Sequence, residues 1–218
     1  MDNRTETQDK KDALLLVHCS RQYDPTALLR PRIRQLTEKF QPERRFVLHD
    51  DESPSQEYLG FEPARALYAY FGKISKQSFL DEVCTAETIT ICGSFGNSCH
   101  HTAYEAIMEE TSETGNDVTI VLPTDAIKEP YGLENRVTMR DIIELDSDGK
   151  RLRGRLAWLA NERLTPADVR ALNVMGEYMR AVWRHGARVS VDGRVIHVPT
   201  NYQGITVSID NSALAMEK

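Results

Sequence analysis

Short apolar runs alternate with segments of helical periodicity along the first half of the chain, and this alternation constrains the fold more than any other feature. The runs are four or five residues long and rich in Leu, Ile and Val, which is typical of strands buried on both faces of a sheet. They occupy residues 13–17, 45–48, 88–92 and 118–122. Strands that alternate with helices form βαβ units. The sequence therefore predicts an α/β fold with a doubly wound, mostly parallel sheet.

Three helices are predicted between these strands, because apolar residues recur there at helical spacing. The first follows Pro31, a residue suited to the first turn of a helix, and the others span residues 62–71 and 99–110. Their expected buried positions are Ile33, Leu36 and Phe40, then Ala66, Leu67 and Tyr70, then Ala103, Ala106 and Ile107. Each helix thus has an apolar face that can cover the sheet.

A different pattern is predicted for the last third of the chain. A helix begins at Thr165, with Pro166 at its first position and Asp168 three residues after the cap, as in a capping box. Gly186 is a suitable stop for it. Its apolar stripe comprises Leu172, Met175, Met179, Val182 and Trp183. We expect the stripe to pack on the hairpin that follows, whose turn is Asp192-Gly193, or on a second subunit.

The chain is therefore divided near Gly149. Residues 1–12 are a polar, disordered lead-in, residues 13–148 form the α/β domain, and residues 149–218 form a C-terminal α+β extension of helix and hairpin. Strand-like segments at 141–145 and 153–159 lie on either side of the boundary, and a last strand is predicted at 205–209.

Charge and composition exclude several classes of function. The net charge of −6 argues against a broad phosphate-binding surface and hence against a nucleic-acid partner. No stretch approaches the roughly 20 apolar residues that span a bilayer. Four cysteines, with no signal-peptide core in residues 1–12, indicate a reducing compartment. We expect a cytoplasmic protein that binds no membrane.

The candidate chemistry lies where the third strand runs into the third helix. The strand ends at Gly93 and the helix starts near Cys99, so the thiol meets unpaired N–H groups that favour the thiolate. The turn between them can supply oxyanion-stabilising N–H groups. Its residues are Phe95, Gly96, Asn97 and Ser98. The alternative is that Cys99 and the glycines serve packing alone, with His100 and His101 as surface or capping residues rather than binding ones.

The surrounding residues are similar to a known family. The matching positions are Gly93, Asn97, Cys99, Thr102-Ala103 and Glu105-Ala106. This pattern resembles the nucleophile segment of the isochorismatase-like cysteine hydrolases, which include nicotinamidase-like and N-carbamoylsarcosine-amidase-like enzymes. The resemblance covers residues 13–126 and extends to Lys73, six residues before Phe79, and to Asp125-Ala126. It implies an isochorismatase-like α/β fold in which Cys99 is the nucleophile and Lys73 stabilises charge.

One position departs from the family pattern. The family's catalytic Asp closes the first strand, where this chain has Cys19. A thiol does not replace a carboxylate as a base near neutral pH unless its pKa is lowered. Asp24, five residues later in the following loop, is one replacement base. His18 is another, although alternation along the strand directs it away from Cys19.

Three hypotheses follow. The chain is a divergent cysteine hydrolase acting on a small-molecule amide or related C–N bond, or an inactive relative that binds a small molecule or a partner protein, or a protein in which Cys19 and Cys99 form a redox or metal-binding pair. A nucleotide-binding role for residues 93–96 stays open, although the dinucleotide and Walker fingerprints are absent from the sequence. Residues 48–52, with one His and three acids, are the other metal candidate. We otherwise expect no cofactor and no metal, and a homodimer or higher homo-oligomer because related proteins assemble.

Overall fold

The computed structural model contains a single sheet flanked by helices. It describes residues 12–21, 23–49, 58–60, 65–68, 83–94, 99–128, 158–159 and 162–211. Its strands are β1 (Asp12–Val17), β2 (Arg45–His49), β3 (Arg65–Tyr68), β4 (Thr88–Ser94), β5 (Val118–Pro123), β6 (Ile127–Lys128), β7 (Arg188–Val191), β8 (Arg194–His197) and β9 (Ile205–Asp210). Its α-helices are α1 (Arg30–Thr37), α2 (Cys99–Thr114), α3 (Pro166–Val174) and α4 (Gly176–His185).

The sheet has the order β3-β2-β1-β4-β5-β9-β7-β8 within the described residues, and β6 pairs with the end of β4. The pairs are parallel except β7 with β8. The four strands predicted from apolar runs are β1, β2, β4 and β5. The predicted α/β class with a mostly parallel sheet is therefore confirmed.

Apolar side chains cover both faces of this sheet, which is why the predicted strands lack polar alternation. Along β1, Leu15 and Val17 belong to one core with residues of α2 and α4. Leu14 and Leu16 belong to a second core with Ile33 of α1. Helix α1 thus lies on one face of the sheet and helices α2 and α4 lie on the other. This is the doubly wound arrangement that the sequence predicts.

The helix predicted over residues 62–71 is wrong. Residues Arg65–Tyr68 form β3, which pairs in parallel with β2, with Phe46 opposite Arg65 and Leu48 opposite Leu67. A short segment that can pair with the open edge of β2 gains ladder hydrogen bonds, and such tertiary pairing overrides local helical spacing.

The C-terminal elements follow their local sequence signals with two differences. Thr165 and Asp168 form the predicted capping box, with Asp168 Oδ2 accepting from Thr165 N at 2.6 Å, and Gly186 ends α4 in the left-handed region. The single predicted helix is instead two, α3 and α4, which meet at Met175. Trp183 was predicted in the buried stripe but is 66% exposed, because it lies one residue, or about 100° of helical turn, beyond Val182.

The predicted hairpin and last strand are both present. β7 and β8 pair antiparallel around Asp192 and Gly193, which have φ of 50° and 76° as a type I′ turn requires. β9 lies between β5 and β7, so these strands extend the same sheet. The buried face of α4 packs on α2 rather than on the hairpin alone. Residues 1–11, the segment 141–145 and the division near residue 149 lie outside the described residues, and Asp12 already belongs to β1.

No α-helix among the described residues combines the length and the apolar character needed to cross a membrane.

Candidate functional site

The candidate site lies where the carboxyl ends of β1 and β4 meet. These strands are neighbours, with Val17 opposite Gly93. Strand order reverses here, because β1 continues to β2 on one side and β4 continues to β5 on the other. In open α/β sheets, ligands bind in the crevice at such a switch point. As predicted, α2 begins at Cys99, five residues after β4 ends at Ser94.

Gly93 brings the two strand ends into close approach. Its φ is +110°, a conformation that residues with a side chain rarely adopt. A Cβ at this position would lie 2.0 Å from the Val17 carbonyl oxygen and 3.0 Å from Cys19 Sγ. Only glycine therefore fits, and Cys19 lies directly beside the end of β4.

Several predicted site residues lie outside the described part of the structure. These are Lys73, Phe95, Gly96, Asn97 and Ser98, together with the side chains of Cys99 and His101. Asp50, Asp51 and Glu52 and the side chain of His49, from the predicted metal segment, lie outside it as well. Their proposed roles stay predictions.

Cys19, which the sequence resemblance aligns with a catalytic Asp, lies two residues after the end of β1. The side chain is buried, with Sγ 3.8 Å from the Val17 carbonyl oxygen. Burial raises its pKa well above the ordinary thiol value, and the neighbouring Cys92 and Asp24 raise it further. The thiol is therefore protonated at neutral pH, which argues against Cys19 as a general base.

Asp24, the predicted replacement base, lies close enough to Cys19 to act on its charge. Its carboxylate is 1% exposed and accepts hydrogen bonds from the Leu29 backbone N–H at 3.0 Å and the Tyr58 hydroxyl at 2.5 Å. Leu29 is the N-cap residue of α1, so this bond ties the loop of Asp24 to the start of that helix. These donors hold Asp24 at the carboxyl end of β1.

His18 and His100 lie close enough for His18 to act electrostatically on His100. The ring of His18 contacts Tyr23, with 4.7 Å between centroids. His100, the residue after Cys99, is fully buried, and its Nδ1 lies 2.6 Å from the Tyr178 hydroxyl. Burial lowers the pKa of His100 to about 3, and the nearby His18 contributes to the decrease. His100 is thus a buried neutral side chain, not the surface residue of the alternative interpretation.

Tyr58 and Tyr178 are the site residues that sequence reasoning missed. Tyr58 precedes Gly60 in a short described segment, and nothing in its sequence context indicates a partner. Tyr178 follows Met175 at helical spacing and so belongs to the buried stripe. A phenol in a buried stripe needs a hydrogen-bond partner, and this was the available signal.

A cavity in the described part of the chain lies at the opposite end of β4 and β5 from the candidate site. Its volume is about 950 Å³, and its lining includes Thr88 and Val118, at the amino ends of β4 and β5, and the acidic Glu87 and Glu110. Cys84 also lines it, with a pKa raised to about 12 by burial and by Glu110. The cavity lies at the amino ends of the strands, whereas Cys99 follows the carboxyl end of β4. We therefore assign the cavity no part in the candidate site.

Among the residues that the structure describes, no group of three His, Cys, Asp or Glu side chains is arranged to hold a metal ion. The described cysteines Cys19, Cys84 and Cys92 are free thiols.

Comparison with known proteins gives only weak similarity. No protein-family model matches the chain, and no curated protein matches its sequence. Among solved structures, a nicotinamidase from Staphylococcus aureus has 17% identity over 56% of this chain and 86% of that chain, with a TM-score of 0.39. A pyrazinamidase/nicotinamidase from Streptococcus mutans has 12% identity over 54% and 87%, with a TM-score of 0.36. A nicotinamidase from Bacillus subtilis has 14% identity over 56% and 88%, with a TM-score of 0.36. At these values the similarity establishes neither the family nor the activity of this chain.

Proposed function

We propose that this protein is a divergent isochorismatase-like cysteine hydrolase that cleaves a small-molecule amide or related C–N bond, with Cys99 as its nucleophile. The observation that supports this most is that a helix begins at Cys99, five residues after a buried strand ends at the topological switch point of the sheet. The N–H groups of that first turn favour a thiolate. The resemblance of the sequence around Cys99 points to the same chemistry.

The proposed reaction has two covalent steps. The Cys99 thiolate attacks the carbonyl carbon, a C–S bond forms, and the C–N bond breaks as the leaving amine takes up a proton. Water then attacks the thioester, which releases the acid and returns the thiol. Backbone N–H groups of Phe95–Ser98 stabilise the oxyanion in both steps, and Lys73 stabilises the developing charge. The chain's own residues suffice for this chemistry, so we propose no cofactor.

Two residues are candidates for the base that takes the proton of Cys99. Asp24 is a buried carboxylate at the carboxyl end of β1, close to the position of the family's Asp. His18 acts electrostatically on His100, which follows Cys99 in the chain. The loss of a general base reduces kcat by about 100-fold or more, so Asp24→Asn and His18→Gln distinguish the two residues once a substrate is known.

The second candidate function is a non-catalytic relative that binds a small molecule or a partner protein. One observation favours it: the residue at the Asp position is a buried thiol whose pKa is raised. Such a residue leaves the nucleophile without the base that the family pattern supplies.

The first experiment is the pH dependence of iodoacetamide labelling at each cysteine, measured by peptide mass spectrometry on the folded protein. We expect Cys99 to label with a midpoint well below the ordinary value of about 8.5. Cys84 is the internal control, because it is half-buried and its pKa is raised to about 12. Cys19 and Cys92 are buried and should label only on unfolding.

If Cys99 labels with a low pH midpoint, the next experiment is a substrate screen of primary amides, including nicotinamide, and N-carbamoyl compounds. Cys99→Ala is the inactive control. If Cys99 titrates like an ordinary thiol or does not label, nucleophilic catalysis is rejected and the binding function takes its place. If Cys19 and Cys99 are recovered as one cross-linked peptide under oxidising conditions, the redox pair is favoured instead.

We propose a cytoplasmic protein whose partner is a small molecule rather than nucleic acid or membrane. We further propose that it forms a homodimer or higher homo-oligomer, which sedimentation measurements can test.

A further inference from the structure

A buried hydrogen bond joins the start of α2 to the C-terminal helix α4. The Tyr178 hydroxyl lies 2.6 Å from Nδ1 of His100, and both side chains are fully buried. The ring of Tyr178 also stacks on Tyr104 of α2, with 4.1 Å between centroids. Tyr178 therefore contacts α2 both at its first turn and one turn further along.

The tautomer of the neutral His100 ring sets the direction of this hydrogen bond. Burial keeps the imidazole neutral at physiological pH, so one ring nitrogen accepts and the other carries the proton. In one tautomer Nδ1 accepts from the Tyr178 hydroxyl and the proton is on Nε2. A contact with the Gly93 backbone, which raises the pKa of the ring, favours this tautomer. That contact is weaker than a full hydrogen bond, because Nε2 has no partner within hydrogen-bond geometry among the described residues.

His100 thus lies between three parts of the fold. Its backbone belongs to the first turn of α2, its Nδ1 is bound to α4, and its ring contacts the end of β4. Cys99 is the preceding residue. A side chain held in this way fixes where the first turn begins and the direction of its free N–H groups.

We propose that Tyr178 is a positioning residue that acts through His100 to hold in place the first turn of α2, the turn that begins at Cys99. This inference rests on the proposed function of Cys99. It assigns a role in the site to the C-terminal part of the chain, which lies beyond the residues that carry the family resemblance.

The test compares Tyr178→Phe with Tyr202→Phe in the full chain. Tyr178→Phe removes the hydroxyl and retains the ring that packs on Tyr104. Tyr202→Phe is the matched control, because among the described residues its hydroxyl makes a long 3.5 Å contact, with Thr206 of β9. The readout is the pH profile of iodoacetamide labelling at Cys99, together with the urea unfolding midpoint.

A net hydrogen-bond contribution corresponds to a factor of up to about ten in an equilibrium. We therefore expect Tyr178→Phe to slow Cys99 labelling at pH 7 by roughly tenfold and to raise its midpoint, while Tyr202→Phe leaves both unchanged. Unchanged Cys99 labelling in a folded Tyr178→Phe variant would overturn the inference and leave the proposed function standing. If the wild-type thiol already titrates at its ordinary value, the proposed function itself fails, and the inference fails with it.

A second variant covers the case in which Tyr178→Phe does not fold. In His100→Asn, the side-chain oxygen takes the place of Nδ1 and still accepts from Tyr178, whereas His100→Ala offers no acceptor. We expect His100→Asn to label at nearly the wild-type rate and His100→Ala to label roughly tenfold more slowly. Equal labelling of the two variants would overturn the role assigned to Tyr178.

Discussion

Replacing Gly93 with alanine is the substitution whose effect the structure defines most sharply. The new methyl group would lie 2.0 Å from the Val17 carbonyl oxygen, well inside van der Waals contact, and 3.0 Å from Cys19 Sγ. The carbonyl belongs to β1, whose pairing with β4 places Val17 opposite Gly93. The clash is therefore relieved only by moving one strand end away from the other.

Two costs add in this variant. Inserting a methyl group into packed structure costs about 1–3 kcal/mol, and holding a residue with a side chain at a φ of +110° costs about 1–3 kcal/mol more. The expected loss in the free energy of unfolding is about 2–6 kcal/mol. Native domains have only about 5–15 kcal/mol in total, so Gly93→Ala removes a large part of the stability.

Gly115→Ala is the matched control for the backbone cost alone. Gly115 also has positive φ, at +69°, but a Cβ there would meet nothing within 4 Å, so its expected cost is about 1–2 kcal/mol. Urea unfolding followed by circular dichroism measures the stability of both variants. At typical dependences of stability on urea concentration, we expect the urea midpoint of Gly93→Ala to lie about 1 M or more below that of the wild-type protein. Equal midpoints would show that β1 and β4 do not approach each other as described. A folded Gly93→Ala protein should also lose the low labelling midpoint of Cys99.

Three further variants test the buried polar groups. The pKa of His100 is lowered to about 3, below its value of about 6.5 in the unfolded chain, so the unfolded state takes up a proton first as the pH falls. The free energy of unfolding should therefore decrease by about 1.4 kcal/mol per pH unit between about pH 6.5 and pH 3, and an unchanged slope in His100→Asn would contradict this. Tyr58→Phe removes a donor from the Asp24 carboxylate and should cost about 1.5–3 kcal/mol in urea unfolding, whereas a cost near zero would mean that the bond is not formed. Arg184 bridges Glu105 at 3.0 Å from a half-exposed position, so Arg184→Gln should cost less than about 1 kcal/mol, and a cost that did not decrease in high salt would refute this interpretation.

The elements predicted correctly are those in which local chemistry and tertiary environment agree. The run from Leu14 to Leu16 is apolar at every position, and both faces of β1 are buried. The Thr165 and Asp168 pair specifies a helix start through contacts three residues apart. These signals are complete within a few residues, so the sequence alone is enough to interpret them.

The failures concern contacts made between distant parts of the chain. The segment around Ala66 has helical spacing, yet the edge of β2 makes it a strand. β9 lies beside β5, so Val118 pairs with Ile205. No pattern within either strand specifies the other strand as its neighbour. Parallel strands need not follow one another in sequence, so the order of a sheet is weakly encoded in its individual strands.

The candidate site likewise combines features that are local in the sequence with contacts between distant parts of the chain. Spacing around Cys99 predicts where α2 begins and places the proposed nucleophile there, because the turn and the helix start are local features. The residues that hold its surroundings in place come from elsewhere: Tyr58 bonds Asp24, and Tyr178 bonds His100. Spacing alone does not predict such partners, because they are selected by position in the fold.

The helix that begins at Cys99 is held by the C-terminal helix at two levels. At its first turn, His100 is bound to Tyr178 of α4. About one turn further on, the Glu105 carboxylate contacts both Arg184 and His185 at the end of α4, each at 3.0 Å. The two contacts lie at opposite ends of α4, so that helix cannot shift or tilt without disturbing one of them. The placement of α2, the helix that begins at Cys99, thus involves contacts with a helix that lies far along the chain.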